Sequence, residues 1–239
     1  MAIESIMEGT GMEKQKYTAI VLAAGSGKRM NSKVHKQYLI IQDRPVLYYS
    51  LKAFEDSAVD EIVLVVGKGE EKFCRKEIVD KYGISKVKAI VEGGKERYHS
   101  VFEGLKQTSD ADYVLIHDGA RPYVSKQSIN DLVECLKTYD AGLLMVPCKD
   151  TIKEVKEGIV VKTLKRETLM QAQTPQVFKS EDIKVAYQKA KDEGYVATDD
   201  SQLFERYIDK DIKAVLGDYS NLKITTQEDL RWKVSILET

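Results

Sequence analysis

Along this chain, short continuous apolar runs alternate with segments whose apolar residues recur at helical spacing. The first run, Thr18 to Ala24, has the length of one buried strand and is far too short to span a membrane. Glu61 to Val66, Val87 to Val91, Tyr113 to Ile116 and Ala141 to Val146 repeat it. Between the runs the period changes. Pro45 opens a segment with Leu47, Leu51 and Phe54 on one helical face, and Glu70 to Tyr82 reads as a charged helix. A further helix opens near Tyr98 and carries Val101 and Leu105. Ser125 to Tyr139 reads as a helix with Ser125 as N-cap and Ile129, Leu132, Val133 and Leu136 on one face. Strands that are apolar throughout and separated by helices predict an α/β fold, a mostly parallel sheet buried on both faces in three layers, α-β-α.

The rhythm breaks at Asp150 to Leu164, where apolar and polar residues alternate around Glu157-Gly158. That pattern predicts a hairpin. Strands so short and half polar bury little against a complete α/β layer, so about 148–170 is expected to protrude as a β-arm that packs on another subunit. Beyond it, Tyr195 to Tyr207 reads as a loop and a helix, Ile212 to Leu216 as an edge strand, and Leu222 to Thr225 as a short strand leading to a last helix at Gln227. The expected organisation is a flexible lead-in over 1–16 and one domain over 17–239.

The composition narrows the class. In 239 residues, 43% of them hydrophobic, there is material for one large α/β core. A net charge of -1 supplies no global field for nucleic acid or anionic lipid, so any basic site has to be local. Cys74, Cys135 and Cys148 are odd in number and far apart, which argues for a reducing compartment and against a disulfide framework or zinc site. With no signal-type segment and no spanning run, the expectation is a soluble cytoplasmic protein that binds neither nucleic acid nor membrane.

Polar clusters follow the apolar runs. After the first come Gly25-Ser26-Gly27 and then Lys28, Arg29, Lys33 and Lys36. A buried strand ending in glycines delivers backbone N–H groups to the carboxyl edge of a sheet, and cations just beyond that edge suit a triphosphate. Neither the dinucleotide fingerprint nor the P-loop spacing fits, and a plain turn with a solvated basic loop is the competing reading. After the third run, Gly93-Gly94 permits close backbone approach to a ring or phosphate, while Ser100 either meets a base or caps a helix. After the fourth, Asp118 suits Mg²⁺ coordination or pairs with Arg121 as a structural acid. His117 reads as a hydrogen-bonded structural histidine, since phosphoryl oxygens need no base at pH 7. Arg166 offers a fork for a phosphate monoester and Thr174 a hydroxyl. Thr198-Asp199-Asp200 either caps a helix or contacts substrate hydroxyls. Lys223, in Asn221-Leu222-Lys223-Ile224-Thr225, points back towards the same edge.

From Tyr17 to about Leu230 the chain resembles the 2-C-methyl-D-erythritol 4-phosphate cytidylyltransferases, within the Rossmann-like sugar-phosphate nucleotidyltransferases. LAAGSGKRM, KQYL, GG-x-x-R-x-x-S-V, HDGARP, DT-I-K, QTPQ-x-F, TDD and N-x-K-I-T occur in the family's order. The resemblance implies a homodimeric, Mg²⁺-dependent enzyme of the non-mevalonate isoprenoid precursor pathway. It would join CTP to methylerythritol phosphate and expel pyrophosphate. By resemblance, Ala23, Ala24, Gly25 and Gly27 wrap the CTP phosphates, Gly94 and Ser100 face cytosine, Asp118 lies near the ribose and the metal, and Ala120 also contacts CTP. Arg29, Lys36 and Lys223 surround the reacting α-phosphate. Thr151 and Arg166 reach from the arm into the neighbouring subunit's site, and Arg121, Thr174 and Thr198 complete the sugar-phosphate pocket.

The chain departs from the family's usual pattern at His35, where proline is common, at Lys95 after Gly94, where aspartate is common, and at Gly119 and Leu222. Two alternatives stay open on sequence alone: a cytidylyltransferase for another polyol phosphate such as ribitol 5-phosphate, and a nucleotide-binding module without catalysis. Enzymes of the first kind commonly carry A-G-G where this chain has Ala23-Ala24-Gly25. The second has no use for charges gathered on a reacting phosphate.

Overall fold

A computed structural model of the chain describes residues 14–25, 35–226 and 228–231. The lead-in expected over 1–16 therefore lies outside the described residues except for its last three. Of these, Lys14 already pairs with Asp60 at 2.9 Å and Lys16 with Glu61 at 2.9 Å.

In chain order, β1 (Tyr17–Ala23) is followed by a 3₁₀ turn (Lys36–Tyr38), the two-residue pair β2 (Ile40–Ile41) and β3 (Arg44–Pro45), and α1 (Val46–Glu55). Then come β4 (Glu61–Val66), α2 (Glu71–Cys74), β5 (Val87–Glu92), α3 (Arg97–Leu105), β6 (Tyr113–Asp118), α4 (Lys126–Cys135) and β7 (Ala141–Pro147). The arm is β8 (Lys153–Lys156) and β9 (Ile159–Thr163). After it run β10 (Met170–Lys179), α5 (Ser180–Glu193), α6 (Asp200–Tyr207) and β11 (Lys213–Leu216). Seven strands form one sheet in the order β11-β7-β10-β6-β1-β4-β5, and β10 alone among them runs against its neighbours.

Alternation along the central strand makes the three layers. Ala19, Val21 and Ala23 of β1 point to one face and pack with Leu47, Leu51 and Phe54 of α1 and with Ile129 and Leu132 of α4. Ile20 points to the other, against Val101 and Leu105 of α3, Ile183, Ala186 and Tyr187 of α5, and Leu203 and Phe204 of α6. Leu51 and Phe54 are fully buried, and each such side chain contributes about 1.5–3 kcal/mol by leaving water. A truncation such as Leu51→Ala would open a cavity in the layer that supports the end of β1.

Several expectations hold, among them the edge position of β11 and the Ser125 cap of α4, whose hydroxyl accepts from the Ser128 N–H at 3.0 Å. The hairpin is present, with Glu157 and Gly158 both at positive φ (51° and 81°), as a tight two-residue turn requires. Other expectations are corrected. The segment 70–82 is α-helical only over Glu71–Cys74, and Arg75–Asp80 is a π-helical stretch. Leu222 to Thr225 is not a strand; it is held instead by the Ile224 N–H donating to the Ala120 carbonyl at 2.8 Å. Gln227, where a last helix was expected, lies outside the described residues, and a 3₁₀ turn follows at Asp229–Arg231.

β10 and α5 carry no apolar run of the kind that marks the other elements. β10 buries Gln173 and Gln176 in the sheet, where burial of a glutamine is compensated by specific partners. Gln176 donates to Asp199 at 3.0 Å and Gln173 to the Asp218 carbonyl at 2.9 Å.

Candidate active site

The sheet reverses direction of growth at β1. Its pairing with β4 leads to one edge and its pairing with β6 to the other, so the loops leaving β1 and β6 diverge and open a crevice at their carboxyl ends. Backbone hydrogen bonds tie the rim together. Gly119 N–H donates to the Leu22 carbonyl and Gly93 N–H to the Val66 carbonyl, each at 2.8 Å. The resulting cleft, about 380 Å³, is lined by Leu22 to Gly25, Lys36 and Gln37, Gly94 to Arg97, Ser100, Asp118, Ala120, Lys223 and Thr225.

Each functional side chain is placed by a local device. Buried Gln37 donates to the Ala23 carbonyl at 2.6 Å, which fastens the 3₁₀ turn of Lys36 to the end of β1. The Lys36 amino group donates to the Ile224 carbonyl at 2.9 Å. Next to it, Lys223 pairs with Asp118 Oδ2 at 2.7 Å. The last residues of β6, His117 and Asp118, stay inside the strand opposite Val21 and Leu22 of β1, so the acid sits on a rigid element. On the far wall, the Ser100 hydroxyl accepts from the Gly94 N–H and donates to the Glu96 carbonyl, both at 3.2 Å. Ser100 thus braces the glycine loop against the first turn of α3 rather than capping that helix.

Asp118 is the electrostatic centre. Burial alone would raise its pKa, but Arg97, Lys223 and Arg121 hold it well below the ordinary carboxylate range. Arg97 Nε donates to Oδ1 at 3.0 Å, and Arg121 Nε stands 4.0 Å from Oδ2. The pairing with Arg121 read from sequence is present, joined by the closer Arg97 and Lys223, and Asp118 also lines the cleft. Arg97 is clamped from behind by Asp200, with Nη1 and Nη2 donating at 2.9 and 2.7 Å. The Tyr187 hydroxyl donates to the same carboxylate. His117 is fully buried, and burial is the main cause pushing its pKa down to about 3, so the ring is neutral. With Nε2–H donating to the Arg121 carbonyl (3.3 Å), Nδ1 accepts from the Thr174 hydroxyl (3.1 Å), which in turn accepts from the Asp118 N–H (3.1 Å).

Of the residues singled out in the sequence, Ala23, Ala24, Gly25, Lys36, Gly94, Ser100, Asp118, Ala120 and Lys223 line this cleft. Arg121 stands beside it and donates to the Asn221 carbonyl at 2.7 Å. Thr174 is buried beneath Asp118, not at the cleft surface. Thr198 is exposed and shares Gln202 Oε1 through its N–H and hydroxyl, while Asp199 caps α6 by accepting from Gln202 N–H at 3.0 Å. Thr151 and Arg166 are exposed at the arm, where Arg166 donates to the Lys149 carbonyl at 3.0 Å. Neither lines the cleft of its own chain. Gly27 and Arg29 lie outside the described residues.

Sequence reasoning missed Gln37 and Arg97 as site residues and read Asp200 only within a helix-capping or hydroxyl-contacting triplet, whereas it holds Arg97. Arg97 and Asp200 are 103 positions apart, and nothing periodic links them. The available signal was that Arg97 lies within the polar cluster that follows the third apolar run, and Asp200 within the Thr198-Asp199-Asp200 triplet.

Cations outnumber acids here. Lys36, Lys95, Arg97 and Lys223 line the cleft with Glu96 and Asp118, a local positive balance within a chain of net charge -1. Such a cleft suits a polyanion held between backbone N–H groups and side-chain donors. Among the described residues there is no group of three or more His, Cys, Asp or Glu side chains able to hold a metal alone. Asp118 still fits a Mg²⁺ ion of the kind bound through one carboxylate together with substrate phosphates.

Comparison with known proteins bears on this geometry. Residues 17–239 match the family model of 2-C-methyl-D-erythritol 4-phosphate cytidylyltransferase, IspD. The chain is 46% identical over 225 residues to the protein of that name from Lachnoclostridium phytofermentans, covering 93% of this chain and 97% of the relative. It is 47% identical over 218 residues to that of Alkaliphilus metalliredigens, covering 90% of each. Among solved structures, the 4-diphosphocytidyl-2C-methyl-D-erythritol synthase of Anaerococcus prevotii superposes with a TM-score of 0.82 at 36% identity, covering 94% of this chain and 97% of that one. The cytidylyltransferase of Francisella tularensis gives 0.75 at 31%, covering 90% and 97%.

Proposed function

This chain belongs to the 2-C-methyl-D-erythritol 4-phosphate cytidylyltransferase family, and from that premise we propose how its cleft works. It condenses CTP with 2-C-methyl-D-erythritol 4-phosphate to give 4-diphosphocytidyl-2-C-methyl-D-erythritol and pyrophosphate, a step in supplying isoprenoid precursors. The observation that carries this reading is the meeting of Lys36 and Lys223 at the same cleft as Asp118 and the glycine loops.

One oxygen of the phosphate monoester forms a bond to the α-phosphorus of CTP, and the bond from that phosphorus to the pyrophosphate oxygen breaks. No proton need be abstracted from an ionised phosphate, so positioning and charge stabilisation are the protein's work. Ala23, Ala24 and Gly25, with Gly27, wrap the triphosphate through backbone N–H groups. Gly94 and Ser100 face the cytosine, and Ala120 and Asp118 meet the ribose. Lys36 and Lys223, joined by Arg29, stabilise the charge that accumulates on the five-coordinate phosphorus. Asp118 is the side chain that would hold Mg²⁺, which when bound neutralises charge on the phosphates.

Arg121 and Thr198 frame the sugar-phosphate pocket, and Thr174 supports it from beneath through Asp118. Thr151 and Arg166 act across a homodimer, each reaching the partner's cleft. The exposed apolar side chains Val155, Ile159, Val160 and Val161 on the arm support that assembly, because a monomer would leave them in water. The enzyme works in the cytoplasm; no helix among the described residues is long and apolar enough to cross a membrane, and the three cysteines are free.

The test is turnover with CTP and each candidate acceptor. Pyrophosphate release with methylerythritol phosphate, and a product carrying the diphosphocytidyl group by ³¹P NMR, are expected. Faster turnover with ribitol 5-phosphate would reassign the acceptor, and no pyrophosphate with either would remove the activity.

A further inference from the structure

A carboxylate at the end of a strand turns readily about its terminal torsion, so what it presents to a ligand depends on which donors hold its two oxygens. In Asp118 they are held unequally. Oδ1 accepts from Arg97 Nε at 3.0 Å, while Oδ2 accepts from Lys223, a residue of the cleft lining, at 2.7 Å. A long arginine side chain could not fix an oxygen unless it were itself immobilised, because it carries substantial rotamer entropy. Here both terminal nitrogens are taken by Asp200 at 2.9 and 2.7 Å in a fork-to-fork pair. Asp200 is fully buried at the first position of α6, and the hydroxyl of fully buried Tyr187 donates to it.

A buried carboxylate is costly to maintain, and ion pairs of this kind are weak evidence for stability alone; their better-supported use is to select one arrangement among several. We propose that Arg97 is a positioning residue, locked by Asp200 and Tyr187, whose Nε fixes Asp118 Oδ1 and so reserves Oδ2 for Lys223 and the incoming nucleotide. This rests on the reading of Asp118 as a nucleotide-facing acid. The chain Tyr187–Asp200–Arg97–Asp118–Lys223 carries order from the core between α5 and α6 into the cleft. Asp200 and Tyr187 touch no substrate in this scheme and act only through Asp118.

The experiment is a double-mutant cycle on kcat/KM for CTP, using Asp200→Asn and Tyr187→Phe, each alone and combined with Asp118→Asn, with the thermal midpoint measured for every variant. Asp118→Asn should lower kcat/KM by about 100-fold or more, Asp200→Asn by about 10-fold or more, and Tyr187→Phe by about threefold. The prediction that separates positioning from mere support is that both distal effects disappear in the Asp118→Asn background. Multiplicative losses in the double variants would overturn the proposal while leaving the role of Asp118 intact. Near-normal activity of Asp118→Asn would instead remove the site reading and the inference with it. If Asp200→Asn fails to fold, the Tyr187→Phe arm decides alone.

Discussion

The amino group of Lys36 donates to the main-chain carbonyl of Ile224 at 2.9 Å, joining residues separated by 188 positions. Because Ile224 N–H in turn donates to the Ala120 carbonyl, three stretches of chain converge beside Asp118. Lys36→Ala should therefore remove a tether of the Lys223 segment and, in the proposed mechanism, a charge at the reacting phosphate. Turnover is expected to fall by about two to three orders of magnitude, the loss typical of a deleted transition-state stabiliser. Steady-state kinetics showing turnover within threefold of the parent would refute the assignment.

Gly93 is where two walls of the cleft touch. A Cβ there would stand 2.5 Å from the Ala24 Cβ and 2.6 Å from the Ser100 hydroxyl. Gly93→Ala is expected to push the loops apart and raise the KM for CTP by about tenfold, with a smaller change for the sugar phosphate. Titrating each substrate at saturation of the other reads this directly, and an unchanged CTP dependence would show that the approach is not needed for binding.

Arg166 sits on the arm, exposed and away from its own cleft. If it serves a partner's site, Arg166→Ala should raise the KM for methylerythritol phosphate by about 10- to 100-fold while that for CTP moves little, since a charge-assisted phosphate contact contributes about 1.5–3 kcal/mol. Sedimentation at assay concentration should give a dimer. A fully active monomer would end the role in trans.

His117 gives a pH signature. Its folded pKa, about 3, lies below the ordinary imidazole value. Below about pH 6.5 the unfolded chain binds a proton that the folded chain does not, so this contribution to stability is complete above that pH and declines as pH falls towards 3. The limiting slope is about 1.4 kcal/mol per pH unit. Asp118, depressed in the folded chain, loses its contribution only below the ordinary carboxylate pKa of about 3.9, outside a pH 5–7 window. Denaturant melts between pH 7 and 5 should show a steeper loss for the parent than for His117→Gln, and parallel slopes would contradict the neutral buried ring.

Much of this was legible before any coordinates. The β1, β4, β5, β6 and β7 strands announce themselves as apolar runs because each is covered by helices on both faces. Polar clusters just past such runs had to lie at the sheet's carboxyl edge, and Gly94, Ser100, Asp118 and Ala120 do so. β10 escaped detection because its glutamines are satisfied by distant partners, not by water, and hydropathy does not record that distinction.

Local hydrophobic period is a property of neighbouring residues, so the sequence by itself determined the apolar strands, the arm hairpin, most of the helices and the sites where loops leave the sheet, though not β10. Which loops meet is a matter of strand order, set by how whole surfaces pack. Only the tertiary structure could bring Lys36 to Ile224, or Arg97 between Asp118 and Asp200, because a cation and its distant partner leave no mark on each other's immediate surroundings.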